Sequence, residues 1–334
     1  MRRLVWIALL CVTAWCGWWV FASQNLSRGV EIWFDDRRAE GWQADLSGVQ
    51  INGFPFQLNA TIDAPALVDP DTGVAFSTSR LILSAPAWWP GYVTLNLPQD
   101  GMMFATPRTK RTVLISSGIA KMRLKPSSAL ELESLTLSSG PVQVKSGEQE
   151  LIGAQGIELG LMQNENQPNL YSVTANVAAL RPGADQRRVL RVPEALPDTY
   201  ESLVLDMKVL LTRPIDRSTL EVARPQPERV DLKLAEAEWG PMLLRTSAAL
   251  DISETGLATG DISFQARNWR DMLTLLEAAG VIPASAKPQA ENILTMLANG
   301  SGNPDTLDVA LVARDGRLFL GFIPVAEISP LRLP

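Results

Sequence analysis

Residues 53–65 read GFPFQLNATIDAP. From Phe54 every second residue is apolar (Phe54, Phe56, Leu58, Ala60, Ile62), and the residues between them, Pro55, Gln57, Asn59, Thr61 and Asp63, favour water or a turn. A strand turns successive side chains to opposite faces, so this spacing predicts a half-buried β-strand. Phe54, Phe56, Leu58 and Ile62 are expected on one face, which meets either other protein or a lipid chain.

The same period returns along the chain. It is clear in Tyr92–Leu97 (Val93, Leu95, Leu97), Ile119–Leu124 (Ala120, Met122, Leu124), Leu203–Leu211 and Leu307–Ala313. Leu130, Leu132, Leu135 and Leu137 slip phase once, as a bulge requires. Gly, Pro, Ser, Asn and Asp separate these runs, the pattern of antiparallel meanders rather than of βαβ units. The expected class is mainly β, a β-rich α+β chain: a large curved antiparallel sheet, a sandwich or an open barrel, with an N-terminal transmembrane helix and a late helical hairpin. Leu205, Met207 and Val209 join the Phe54 set as a candidate apolar-ligand face. The hairpin is expected over 268–299. Asn268 caps a helix with Trp269, Met272, Leu273 and Leu276 on one face, ending at Gly280; Ser285 starts a second with Ile293, Leu294 and Leu297. It reads as a lid over core or as a gate.

At the N-terminus, Leu4–Phe21 (LVWIALLCVTAWCGWWVF) is an 18-residue run without a charge, preceded by Arg2 and Arg3. As a helix it spans about 27 Å, close to the hydrocarbon thickness of a bilayer. Trp15, Trp18 and Trp19 gather at its far end, where an aromatic belt meets the interface. The run is long for the apolar region of a cleaved signal, so an uncleaved single-pass anchor in the bacterial inner membrane is expected, with the N-terminus cytoplasmic and the body periplasmic. Leu26, Val30, Trp33 and Phe34 then suggest a short amphipathic helix up to Gly41. The expected division is an anchor over 1–23, a first β-rich half over 24–180 and a second over 181–334. The boundary falls in the Pro- and Arg-rich stretch Leu180–Pro197, which also reads as a surface loop; Arg213–Arg229 has similar composition.

Composition removes many chemistries. The net charge is −6 and no long basic run would track a phosphate backbone, so nucleic acid is not an expected partner. Zero histidine removes His-based triads, His general bases and most catalytic zinc or iron sites. Both cysteines, Cys11 and Cys16, lie in the apolar run. Phosphate-binding and dinucleotide glycine motifs, the nucleophile elbow and Ser-x-x-Lys are all missing from the sequence. What remains is ambiguous. Asp69-Pro-Asp71-Thr-Gly73 has part of a calcium-loop spacing or is an Asp/Pro/Gly turn. Glu131 with Glu133, and Glu236 with Glu238, are paired carboxylates or a solvated face. Arg108, Lys110 and Arg111 are candidate contacts for lipid head groups or a partner, as are the Arg181–Arg191 cations, and solvated loops are the simpler reading of both clusters. Trp88-Trp89-Pro90-Gly91 plugs the end of an apolar face or sits at a membrane surface. No catalytic, cofactor or metal site is expected, and the chain is not read as an enzyme.

Asp45-Leu46-Ser47-Gly48 followed by Gly53-Phe54-Pro55-Phe56, then Ala85-Pro86 with Trp88–Tyr92, and Trp239-Gly240 resemble an uncharacterised alphaproteobacterial family, the domain of unknown function numbered 2125. The ending Asp315-Gly316-Arg317-Leu318-Phe319-Leu320-Gly321 is similar to the terminal strands of AsmA-like proteins. That second resemblance implies an inner-membrane anchor, curved periplasmic sheets and a part in phospholipid movement or envelope integrity. The functional expectation is a non-catalytic, membrane-anchored periplasmic protein that binds phospholipid or another apolar envelope component in envelope maintenance. The alternative is a periplasmic interaction or scaffold module that docks an envelope protein, with its apolar sheet face ordinary core.

Overall fold

The structure is a computed structural model that describes residues 1–189, 191–193, 196–221, 224–300 and 303–333. Parts of both Pro- and Arg-rich stretches, residues 190, 194–195 and 222–223, lie outside the described residues. The chain begins with α1 (Arg2–Ala39), β1 (Gln43–Asp45), β2 (Gly48–Asn52), β3 (Gln57–Asp63), β4 (Ala66–Val68), β5 (Ala75–Thr78), β6 (Arg80–Pro86) and β7 (Tyr92–Asn96). Then come β8 (Met102–Ala105), β9 (Lys110–Ile115), β10 (Gly118–Leu124), β11 (Leu132–Ser139), β12 (Val142–Ser146), β13 (Gln149–Ala154), β14 (Gly156–Gln163), β15 (Leu170–Ala178) and β16 (Arg181–Pro182). The remainder is α2 (Ala184–Val189), β17 (Ser202–Leu211), α3 (Ser218–Glu221), β18 (Pro227–Trp239), β19 (Met242–Ile252), β20 (Ala258–Arg267), α4 (Trp269–Ala278), α5 (Lys287–Gly300), β21 (Thr306–Arg314), β22 (Arg317–Leu320) and β23 (Ile323–Glu327). The class is mainly β, with antiparallel sheets, an N-terminal apolar helix and late helices, as the periodicity predicts.

The expected break between an apolar span and a separate amphipathic helix is not found. No proline interrupts residues 2–39, so α1 continues as one helix for 38 residues, about 57 Å. It stops where Gly41 takes φ +93°, a left-handed C-terminal glycine. The apolar part carries no buried side chain, and α1 is the one described helix long and apolar enough to cross a membrane.

Two compact units divide the chain: residues 1–126 with 137–149, and residues 127–136 with 150–334. Leu180 and Arg181 both fall inside the second, so the compact division lies away from the Pro- and Arg-rich stretch. Several of its described residues are packed. Leu196 is buried, the Arg187 guanidinium donates to the Pro197 carbonyl (2.7 Å), and the Trp239 indole N–H donates to the same carbonyl (2.8 Å).

In the first unit, one sheet runs β1-β4-β5-β8-β9-β12 and the other β2-β3-β6-β7-β10. The chain passes from one to the other hairpin by hairpin, through jogs of one to five residues. Ala64 (φ +48°) and Pro65, which has no N–H to donate, make one jog. The Ala64 N–H donates to the Ser79 carbonyl (2.7 Å), so the neighbouring strand bends at the same level.

The opening stretch divides at Gln57, where β3 starts. Leu58, Ala60 and Ile62 are 3%, 3% and 7% exposed, whereas Phe54 and Phe56 are 54% and 66% exposed. The expectation that all five share one inward face is corrected here. Gly53 at φ +104° and Pro55 end the ladder, and residues 53–56 form a turn closed by Gln57 N–H donating to the Gly53 carbonyl (2.9 Å).

In the second unit, β14-β15-β17-β18-β19-β20-β21-β22-β23 follow one another as an antiparallel meander. The last predicted hairpin is present: Asp315 and Gly316 both take positive φ, and Arg314 opposes Arg317. α4 and α5 cover β20 and β21 through Ala266, Trp269, Leu273, Ala298, Leu307 and Val309. Three details differ from expectation. Asn268 makes no capping bond; it takes φ +54° and its side-chain amide donates to the Pro241 carbonyl (2.6 Å). Leu276 and Ile293 face outward, because the covering faces are carried by Trp269 with Leu273 and by Leu294, Leu297 and Ala298.

Candidate functional site

One end of the first unit gathers aromatic rings against α1. The indole N–H groups of Trp15, Trp18 and Trp19 donate to the carbonyls of Pro55 (2.9 Å), Ala87 (3.1 Å) and Gln57 (2.9 Å). Trp19 and Phe54 meet edge to face at 5.4 Å. The bonded carbonyls belong to the 53–56 turn, to Gln57 where β3 begins, and to the neighbouring residues 87–91, which are joined to the turn by Ala87 N–H donating to the Phe56 carbonyl (2.9 Å). Trp15 is six residues from Phe21, so these carbonyls lie within about 9 Å of the end of the apolar run.

The paired tryptophans separate here. Trp89 is half-buried, donates to the Leu124 carbonyl (3.3 Å) and packs so closely over Gly91 that a Cβ there would lie 2.6 Å from its ring. Trp88 remains 65% exposed. The two rings part company: Trp89 plugs the sheet end, and Trp88 presents its surface outward.

Beside Trp88 is a cleft of about 490 Å³, lined by Phe56, Pro86, Trp88 and Tyr92 and by two cations, Lys121 and Arg123. Among the described residues no Asp or Glu lines it. Arg123 opposes Tyr92 across β7 and β10, and its guanidinium lies 5.3 Å from the Tyr92 ring centre. Sequence reading treats Ile119–Leu124 only through its inward residues. The signal for Lys121 and Arg123 is there all the same, as the outward half of that alternation.

The cations proposed for head groups lie elsewhere. Arg108, Lys110 and Arg111 are exposed around the β8–β9 hairpin. Ala105, opposite Lys110, is level through Ala75 and Val68 with Gln43, just beyond the C-terminus of α1. From Trp18 to that end α1 rises about 30 Å. The hairpin and the aromatic tip are therefore at opposite ends of the first unit.

In the second unit, Leu205 opposes Ala175 and Ala235. It lines an open trough of about 330 Å³ with Ala175, Val177, Leu203, Ala237 and Leu244. Met207 and Val209 continue along β17 beyond a register shift at Asp206/Met207, Val209 opposite the fully buried Tyr171. The Tyr171 hydroxyl accepts from Ile215 N–H (2.9 Å), and burial raises its pKa. Of the six apolar candidates still unplaced after Phe54, then, Leu58 and Ile62 are core, Phe56 lines the tip cleft and Leu205 the trough.

Most of the acidic candidates are occupied locally. Glu236 accepts from Arg245 (2.7 Å) and Ser202 (3.0 Å), and chiefly the Arg245 bond holds its carboxyl below the usual carboxylate range. Glu238 pairs with Arg267 (2.9 Å), and Glu131 accepts from Gln163 (3.4 Å). Asp69 accepts from the Thr72 hydroxyl (2.7 Å) and the Asp71 N–H (2.9 Å), which lower its pKa; the motif is built as a turn. Among the described residues no three Cys, Asp or Glu side chains are grouped to hold a metal.

A family model described as "Uncharacterized protein conserved in bacteria (DUF2125)" matches residues 19–329. No curated protein matches the chain.

Proposed function

The chain belongs to the DUF2125 family of uncharacterised bacterial proteins, and from that premise we propose that it is a non-catalytic lipid-binding protein of the cell envelope, anchored in the inner membrane through Leu4–Phe21 with its β-rich body in the periplasm. The observation that carries the lipid reading is the open trough of Leu203, Leu205, Leu244, Ala175 and Val177. The α4–α5 hairpin covers β20 and β21, while these residues of β15, β17 and β19 line an open groove, and an uncovered apolar groove favours an apolar ligand. Arg2 and Arg3 ahead of the span support the orientation. Binding rather than catalysis is favoured by the lack of histidine and by the arginine partners of Glu236 and Glu238.

The full chain, purified in detergent and solvent-extracted, is expected to carry phospholipid detectable by mass spectrometry, and Leu244→Lys, at the trough edge, to carry less. Lipid-free wild-type protein would sink the reading. A periplasmic reporter fused at the C-terminus tests the orientation; activity only of a cytoplasmic reporter reverses it.

A second reading, docking of an envelope protein, is favoured by one feature: the outer side of the hairpin leaves Val281, Ile293 and Met296 exposed. Their triple replacement by serine is expected to leave lipid content unchanged and to abolish any cross-link to a partner.

A further inference from the structure

We propose that the cleft at the tip of the first unit seats the phosphate of an anionic phospholipid at the bilayer surface, with Lys121 and Arg123 as its cations and Phe56 and Trp88 inserted among the acyl chains beside it. This rests on the membrane-anchored reading above.

Position comes first. Three indole bonds fix the 53–57 and 87–91 segments against the last turns of the apolar run. With Leu4–Phe21 in the hydrocarbon, that tip is at the depth where head groups meet acyl chains, a layer about 5–10 Å deep in which amphipathic elements lie. Phe54, Phe56 and Trp88, each more than half exposed, are then covered by lipid rather than left in water.

Charge gives the ligand its sign. Lys121 and Arg123 are two apart on β10, about 7 Å along one face, a separation one phosphate group can bridge. Both are exposed, and among the described residues neither has a carboxylate within ion-pair reach. Most other arginines of the chain are paired, for example Arg80 with Asp63 and Arg229 with Asp231. In a chain of net charge −6, two unpaired cations in a cleft without a carboxylate complement an anion. Arg123 lying against the Tyr92 ring is held in place for it.

The test uses the full chain in mild detergent, titrated with phosphatidylglycerol or phosphatidylcholine and read by native mass spectrometry. Wild type is expected to retain the anionic lipid preferentially. Lys121→Gln with Arg123→Gln should lower that retention about tenfold or more, each substitution removing one charge-assisted hydrogen bond. Lys110→Gln with Arg111→Gln, at the other end of the unit, should leave it unchanged. Unchanged thermal midpoints show that the exposed substitutions leave the fold intact. Equal retention by wild type and the Lys121/Arg123 variant overturns this site while leaving the trough reading standing. Loss of lipid in Leu244→Lys but not in the tip variant does the same. Displacement of the lipid by millimolar inorganic phosphate overturns the lipid as ligand, and wild type that retains neither lipid overturns both readings.

Discussion

Tryptophans in the two units make the same bond in opposite surroundings. In the second unit, the Trp239 and Trp269 indoles donate to the Pro197 (2.8 Å) and Pro304 (3.1 Å) carbonyls, and both rings are buried. Tyr200 stacks on Trp239 at 4.4 Å. In the first unit, Trp15, Trp18 and Trp19 donate to carbonyls equally well, yet they stand beside Phe54, Phe56 and Trp88, whose rings remain outside. Satisfying the indole N–H therefore does not distinguish the two places. Where the ring's apolar area goes does: in the second unit it stabilises the fold, and at the tip it stays on the protein surface.

Trp269→Ala is expected to cost about 3–5 kcal/mol in denaturant unfolding of the detergent-solubilised chain, and Trp88→Ala under about 1 kcal/mol. Equal losses would mean that Trp88 is core. The next test divides the opening stretch: Leu58→Ala should cost about 2–5 kcal/mol while Phe56→Ala leaves the unfolding midpoint almost unchanged. If Phe56→Ala also destabilises strongly, the turn is packed against protein.

Replacing Trp15, Trp18 and Trp19 together by phenylalanine keeps the rings and removes three N–H donors. Each bond is worth about 1 kcal/mol, so amide exchange in residues 53–57 and 86–88 should quicken about fivefold or more, with the second unit unaffected. The smallest effect concerns Glu236. Its folded pKa lies below its ordinary 4.5, so its contribution is complete above that value and lost as pH falls through the lowered one. Between about pH 5 and 3, wild type should lose slightly more stability than Glu236→Gln, by under about 1 kcal/mol.

Much of the fold is legible in spacing alone. Val93 with Leu95, Ala120 with Met122, and Leu307 with Val309 announce strands because side-chain direction repeats every two residues, and Asp315-Gly316 announces its own hairpin. The limits of that reading show at Phe54 and Phe56. Their spacing fits the strand, but Gly53 and Pro55 stop the hydrogen-bond ladder before the alternation ends. The passage between two sheets in the first unit is carried by jogs as short as Ser79, too brief to stand out from ordinary strand interruptions. The cleft at the tip is less visible still, because Phe56, Trp88 and Arg123 come from three separate segments.

The apolar span, the β class, the two late helices and the lack of histidine chemistry are each written in local composition or in repeats of two and nearly four residues. That GFPF is a tip rather than the start of a strand, that Trp89 is half-buried while Trp88 is exposed, and that Lys121 and Arg123 lie beside them are settled by the folded chain alone. Those outcomes depend on strand register and on which loops the sheet brings to one end, and contacts between residues far apart in the chain leave no period for a sequence to show.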